Sequence, residues 1–179
     1  MKKLLLSILF VGGGLISLSN NFTGPRYRVD ISTGFIDDRR FALTSGYKFF
    51  SGSVSVLPEW ELKFNKKFDI SFGPKVSLNF ENFIGSMDAT TINPSIILGG
   101  EIDFNYKVIE DVKIYAGMEV GTGIGFQAFV SSSHNHFQGP ELKTESKISL
   151  GVKVKDKFNL AFYTGDIKGV IGVEAGYTF

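Results

Sequence analysis

The chain has 179 residues, enough for one domain and too few for two, and it contains no cysteine. The absence of cysteine excludes disulfide bridges, thiolate metal clusters and a cysteine nucleophile. Lysine and arginine number 19 against 18 aspartates and glutamates, so the charge balance gives no indication of nucleic-acid binding.

Residues 1–19 have the pattern of an export signal. Two lysines follow the first methionine and precede an apolar stretch, and Ser17 and Ser19 have the small side chains and the spacing that signal peptidase prefers. We therefore predict a cleaved signal peptide over 1–19 and one folded domain over 20–179. An uncleaved membrane anchor is the alternative, for which the segment is short. No later apolar run approaches the roughly 20 residues of a membrane-spanning helix.

Beyond the signal, apolar and polar side chains alternate in one segment after another. A period of two places one set of side chains on each face of a β-sheet. Most segments approach the roughly 9–11 residues with which a tilted strand crosses a bilayer. The pattern predicts eight strands, at about 27–35, 53–64, 68–80, 95–106, 112–127, 147–154, 158–164 and 171–179.

The connections between these strands are of two alternating kinds. Residues 37–52 interrupt the alternation and are interpreted as a long first loop, with a hairpin extension of the flanking strands as the alternative. Short turns on the periplasmic side and longer loops outside are typical of bacterial outer-membrane barrels. Tight turns are predicted at 65–67, 107–111 and 155–157, and longer loops at 37–52, 81–91 and 130–143, with a short last connection near Asp166.

Alternation alone also fits a soluble ligand-binding barrel with its apolar face inside. Three features favour the inverted arrangement, with the apolar face outward: the polar face is strongly charged, aromatic residues lie at the strand ends, and the connections are of two kinds. Backbone groups in hydrocarbon all need partners, so the sheet must close without an edge. The predicted fold is an all-β, closed, eight-stranded antiparallel up-and-down transmembrane barrel. The predicted aromatic girdles are Tyr27, Phe64, Phe68, Phe104, Tyr106, Phe158, Tyr177 and Phe179 at one rim and Phe35, Phe80, Phe126 and Phe162 at the other.

The last segment alternates Ile171, Val173, Ala175 and Tyr177 and ends in Phe179. It resembles the C-terminal assembly signal of outer-membrane barrels, and residues 20–179 resemble the small eight-stranded class that includes the OmpA transmembrane domain, OmpX and opacity-type proteins. The resemblance implies a bacterial outer-membrane location, assembly by the barrel machinery through the Phe179 strand, and contact with membrane lipid and lipopolysaccharide. Members of this class are scaffolds, adhesins or immune-evasion proteins, and a few relatives are lipid-modifying enzymes. We expect no cofactor, no metal and no nucleic-acid partner.

The interior of an eight-stranded barrel is just wide enough for side chains, and buried charges are tolerated when they are paired. We therefore predict an internal salt-bridge network that fills the lumen, with a narrow ion-conducting path as the alternative. The predicted network consists of Arg28, Lys63, Lys75, Lys113, Lys147 and Lys153 with Asp30, Glu59, Glu61, Asp69, Glu101, Asp103, Glu119 and Glu174. Pro58 and Pro74 are equidistant from residue 66, and they predict a bulge or irregular pairing because proline cannot donate to the ladder.

Two histidines, His134 and His136, lie in the predicted loop 130–143. With Ser132 or Ser133 as nucleophile and Glu141 as orienter, they would provide the groups of a lipid A or phospholipid hydrolase. Such enzymes carry the pair on lipid-facing strands with other local motifs, so a polar loop is the preferred interpretation, and a weak His-x-His metal site is a further alternative. The charged segment 37–40 is interpreted as a solvated turn, with lipopolysaccharide phosphates as an alternative contact for its arginines. The preferred function is that of a non-enzymatic surface protein with a structural, adhesion or host-interaction role.

Overall fold

The computed structural model describes residues 21–36, 48–84, 90–130 and 135–179, so the predicted signal peptide lies outside the described residues. Each strand pairs antiparallel with its neighbours in chain order, and β1 pairs with β8 to close the ring. In these ranges no helix is long and apolar enough to cross a membrane. The strands are β1 Phe22–Ile36, β2 Lys48–Lys63, β3 Phe68–Ile84, β4 Thr90–Ile109, β5 Val112–Val130, β6 Asn135–Val154, β7 Phe158–Gly165 and β8 Ile171–Thr178.

The two faces of the closed sheet have opposite polarity. Leu98 and Val120 are each 63% exposed on the outer face, whereas Arg28, Lys75 and Glu101 are buried inside. Exposed aliphatic side chains around a charged interior are the reverse of a water-soluble domain, and they fit a barrel surrounded by hydrocarbon. The predicted fold, a closed eight-stranded antiparallel up-and-down barrel with its apolar face outward, is confirmed.

The structure brings the barrel connections together at two rims. We call one the turn rim, where the turns 64–67, 110–111 and 155–157 join the strands and where β1 begins and β8 ends. The opposite end, the loop rim, carries the segments between β1 and β2, β3 and β4, β5 and β6, and β7 and β8. The predicted girdle residues lie on the outer face near these rims; Phe158 and Tyr177 pack edge to face at the turn rim, with ring centroids 4.9 Å apart.

The predicted loops 81–91 and 130–143 are wrong in extent. Residues 48–52 of the predicted first loop belong to β2, which agrees with the alternative of an extended flanking strand. β3 continues to Ile84, β4 starts at Thr90, β6 starts at Asn135 and β2 starts at Lys48. Apart from Phe137 and Leu142, the β6 extension is mostly polar and shows no hydrophobic alternation, yet its backbone continues the ladder with β5. The register also shifts between the pairs Gly125↔Glu141 and Gln127↔Gln138, where β6 contains one more residue than β5. In the part of β6 before this point, the inward and outward side chains therefore exchange positions in the alternation.

The wall of the barrel is higher on one side than on the other. β6 pairs with β7 only from Lys147 to Val154, so its first twelve residues, 135–146, pair with β5 alone. At the point where β7 ends, the Asp166 carboxylate accepts hydrogen bonds from the Ser146 N–H at 2.9 Å and from its hydroxyl at 3.1 Å. The Asp166 side chain therefore satisfies the first backbone N–H of β6 that has no strand partner in β7.

Pro58 and Pro74 face each other across the β2–β3 ladder. The pairs Val56↔Val76 and Trp60↔Phe72 flank a stretch in which no residues pair. The register is the same on both sides, so the predicted irregular pairing is confirmed and the bulge is wrong. A Cβ atom added at Gly73 would clash with the Pro58 carbonyl, which explains the glycine beside the gap.

Candidate functional site: the charged interior

Arg28 of β1 is at the centre of the interior. Its guanidinium group is completely buried and donates to Asp30 at 3.1 Å, Glu59 at 2.9 Å and Asp103 at 2.8 Å, and also to Glu101. A guanidinium has five N–H donors in a fixed fork, so one side chain can satisfy several carboxylates. Strands β1, β2 and β4 are thereby joined through the lumen.

Two lysines carry the network to the other half of the ring. The Lys75 ammonium lies 2.5 Å from Glu101, 3.1 Å from Asp30 and 3.2 Å from Glu119. Lys147 contacts Glu119 at 2.8 Å and Glu174 at 2.7 Å. Each cation serves carboxylates from different strands, so every ionised group in this layer has more than one partner of opposite charge.

Three of these carboxylates, from Asp30, Glu101 and Glu174, approach closely enough to suggest a metal site. The Lys75 ammonium contacts all three, at 3.1, 2.5 and 3.7 Å. A protein cation therefore already compensates the charge that a metal ion would compensate. Nothing in this cluster supports a metal centre.

A separate group of charges lies near the turn rim. The Lys113 ammonium contacts Glu61 at 3.0 Å, Asp69 at 2.8 Å and Asp156 at 2.7 Å. Partial burial acts to raise the pKa of Asp156, but the hydrogen bond and the charge of Lys113 outweigh it, and the pKa lies below its ordinary value. The same bond ties the turn 155–157 to the barrel interior.

Lys168 closes the lumen at the loop rim, and sequence reasoning missed it. It belongs to the connection 166–170, which folds into the barrel, and its ammonium contacts Glu119 at 2.7 Å and Glu145 at 2.8 Å. The Lys168 carbonyl accepts hydrogen bonds from the Tyr163 hydroxyl at 2.8 Å and from the Ser51 hydroxyl. The connection is therefore held by both its backbone and its charged side chain.

The structure places thirteen of the fourteen predicted network residues in the buried interior. Lys63 is the exception: its side chain is 51% exposed and its ammonium lies 3.9 Å from Glu61. The residue is the last of β2, where the chain leaves the ladder and alternation stops fixing the side-chain direction. Besides Lys168, the prediction omitted Glu81 and Glu145, which are both buried. Glu81 falls in the predicted loop 81–91, and Glu145 falls between the predicted loop 130–143 and the predicted strand 147–154.

The residues of the hydrolase hypothesis are only partly described, since Ser132, Ser133 and His134 lie outside the described residues. His136 and Glu141 are both exposed on β6. Glu141 contacts Lys143 at 3.3 Å, and no hydrogen bond among the described residues joins it to His136. The described part of this segment thus shows no nucleophile–base arrangement.

No family model matches the chain, and no curated protein is similar to it in sequence. The attachment invasion locus protein Ail of Yersinia pestis is similar in structure, with 15% identity, coverage of 86% of this chain and 97% of that chain, and a TM-score of 0.41. The N-terminal barrel domain of Pseudomonas aeruginosa OprF has 11% identity, coverage of 88% and 100%, and a TM-score of 0.40. The translocator domain of the autotransporter NalP from Neisseria meningitidis has 11% identity, coverage of 99% and 98%, and a TM-score of 0.42.

Proposed function

We propose that this chain is an outer-membrane surface protein that acts through its loop rim in adhesion or host interaction, and that it is neither a wide pore nor an enzyme. The observation that carries the proposal is the charged interior. Arg28, Lys75, Lys147 and Lys168 are all at most 2% exposed and all paired with carboxylates, so the lumen is occupied by the protein's own side chains. A filled lumen leaves the outer surfaces for function.

The taller side of the wall supports the choice of the loop rim. Beyond the end of β7, the β6 extension continues for twelve residues, and Leu142 and Phe137 are exposed there, at 79% and 65%. Phe137 stacks on Phe126 with ring centroids 5.8 Å apart. Exposed apolar side chains among polar ones on a projecting sheet are typical of interaction surfaces.

The location in the outer membrane is part of the proposal. We propose that the chain is exported through the signal peptide 1–19 and assembled through the strand that ends at Phe179. Lipopolysaccharide would then surround the loop rim. The Phe179 N–H donates to the Tyr27 carbonyl at 2.9 Å, so the last residue takes part in the seam that closes the barrel. Heat-modifiable gel migration and outer-membrane fractionation test this part, and a water-soluble, detergent-free monomer of residues 20–179 would contradict it.

The role in adhesion is tested by replacing loop segments in turn. Segments 37–47, 85–89 and 131–134 are the appropriate ones, because longer deletions would remove residues of β2, β3, β4 or β6. Binding of the refolded barrel to cultured host cells is measured for each variant. We expect at least one replacement to abolish binding, while a matched replacement of the turn 155–157 by Asn-Gly leaves binding unchanged. Equal binding by all the variants, or no binding by the parent protein, would contradict the proposal.

The hydrolase alternative is tested separately with the same preparation. A phospholipid and a lipid A substrate are offered to the parent barrel and to the variants His134→Ala and His136→Ala. The proposal expects no hydrolysis by any of the three. Hydrolysis by the parent that is lost in either variant would establish the enzyme in its place.

A further inference from the structure

Six lysines form a basic band around the turn rim. Lys66 and Lys67 belong to the first turn, Lys155 and Lys157 to the third, and Lys63 and Lys107 lie at the adjoining strand ends. All are exposed except Lys107, which is half-buried. The turn 110–111 is acidic, and Asp156 is paired with Lys113, so cations outnumber free carboxylates on this rim. Only Lys63 of the six has an ionic partner among the described residues, at 3.9 Å.

Backbone hydrogen bonds hold this band in place. The Lys107 N–H donates to the Lys67 carbonyl at 2.7 Å, and the Lys155 N–H donates to the Asp111 carbonyl at 2.7 Å. In the first turn, the Asn65 side chain accepts from the Lys67 N–H at 2.8 Å. The turns are thus linked to their neighbours around the ring, and ligand binding would order only the lysine side chains.

An aromatic girdle lies directly next to the basic band. Phe64, Tyr106 and Phe158 are all exposed on the outer face within one or two residues of a lysine of the band. Aromatic residues at the ends of membrane strands lie at the depth of the headgroups, and lysine side chains extend from there towards the phosphates. The basic band is therefore placed against lipid headgroups and not against bulk water.

We propose that the basic band of the turn rim binds anionic phospholipid headgroups of the phosphatidylglycerol type. The lysines lie on two separate parts of the rim, at the ends of β2 to β4 and between β6 and β7. Lipid headgroups surround the barrel and reach both parts, whereas a globular acidic partner would contact one side only. Phospholipid is chosen over lipopolysaccharide because the short turns of an outer-membrane barrel face the periplasm, where the leaflet is glycerophospholipid. The inference depends on the proposed function only for this choice of leaflet.

The chain contains one tryptophan, which provides a local reporter for the test. Trp60 is three residues before Lys63, about 10 Å along β2, and lines an open groove on the outer face with Phe72, Pro74 and Met118. The full barrel is reconstituted in mixed vesicles of phosphatidylcholine and phosphatidylglycerol, with brominated chains on one lipid at a time. Quenching of Trp60 then gives the relative binding constant of the two lipids at its surface.

We expect phosphatidylglycerol to be preferred about fivefold at low salt, since a lysine near an anionic surface contributes about that factor. The preference is expected to fall below about twofold in 1 M salt, where the Debye length is about 3 Å. In the triple variant Lys63→Gln, Lys66→Gln, Lys67→Gln, the preference is expected to disappear at low salt. The control Lys143→Gln removes a lysine outside the band and should keep the parent value.

Heat-modifiable migration in gels establishes that each variant is folded before quenching is measured. Equal quenching by the two brominated lipids in the parent protein would overturn the proposal. A preference that persists in 1 M salt or in the triple variant would also overturn it, because the attraction would then not arise from these cations. The assay contains no host molecule, so its outcome is independent of the test for adhesion.

Discussion

Replacement of Lys168 by methionine tests whether the connection 166–170 is held in the lumen by its charge. The substitution keeps the length and volume of the side chain and removes its ammonium, which contacts Glu119 at 2.7 Å and Glu145 at 2.8 Å. Glu119 retains Lys75 and Lys147 as partners, at 3.2 and 2.8 Å. Glu145 retains only the Asn79 amide, at 2.9 Å, among the described residues.

One carboxylate is therefore left buried without a cation. Removing one member of a buried ion pair costs about 3–5 kcal/mol, and we expect the lower end of that range, about 3 kcal/mol, because Glu119 stays compensated. Glu145→Gln should cost about 1–2 kcal/mol, since Lys168 keeps its contact with Glu119. The double variant should lie within about 1 kcal/mol of Glu145→Gln, because the uncompensated charge is absent from both.

The free energy of unfolding is measured by urea titration in phospholipid vesicles, with Trp60 fluorescence and gel migration as the two probes. Lys143→Met is the control, since its partner Glu141 is exposed and a solvated pair contributes at most about 1 kcal/mol. A loss below about 1 kcal/mol in Lys168→Met would refute the argument that the network depends on this lysine. A double variant as unstable as the sum of the two single ones would refute the assignment of Glu145 as its partner.

Three further predictions use the same preparation. Asp156→Asn should lower the free energy of unfolding at neutral pH and remove a part of its dependence on acid. Because the pKa of Asp156 is lowered in the folded barrel, its stabilisation is present above the pKa of the unfolded chain, about 3.9, and is lost as the pH falls towards the folded-state pKa. Urea titrations between pH 3 and 7 would show this difference. Gly73→Ala should destabilise by about 3 kcal/mol or prevent folding because of the clash with the Pro58 carbonyl, whereas Gly52→Ala, with open space around its added Cβ, should change stability by less than about 1 kcal/mol in the same titration. Planar-bilayer recordings of the parent barrel should show no stepwise conductance, and clear cation-selective steps would establish the narrow channel instead.

Most of the interior could be predicted from sequence because a strand fixes side-chain direction every second residue. Arg28, Lys75 and Glu101 belong to different strands, yet alternation alone assigns each of them to the lumen. The outward direction of the apolar face required a further argument from charge and from the positions of the aromatic residues. The spacing of residues along a strand fixes the direction of each side chain, and a long-range contact cannot reverse that direction without breaking the hydrogen bonds of the sheet.

The loop rim could not be predicted in the same way. Lys168 lies in a connection between strands, where no period determines the direction of a side chain, and its burial depends on packing against Gly34, Ser51 and Tyr163. β6 before Lys143 lacks apolar alternation, and its extra residue between Gln138 and Glu141 shifts the register. A pattern that depends on hydrophobic contrast therefore fails where a sheet leaves the membrane.

The two rims differ in the forces that shape them, and this difference separates their proposed roles. At the turn rim, backbone bonds link each of the three turns to a neighbouring turn or strand end and leave lysines exposed on two parts of the rim, an arrangement suited to a uniform lipid leaflet. At the loop rim, the strands of the described ranges rise higher on the side of β6 than on the side of β7, which suits a partner that approaches from one direction. Between them, the network centred on Arg28 connects β1, β2 and β4 through the lumen with charge-assisted hydrogen bonds. The basic band and the projecting sheet lie at opposite rims and share no residues, so we expect substitutions in one to act independently of substitutions in the other.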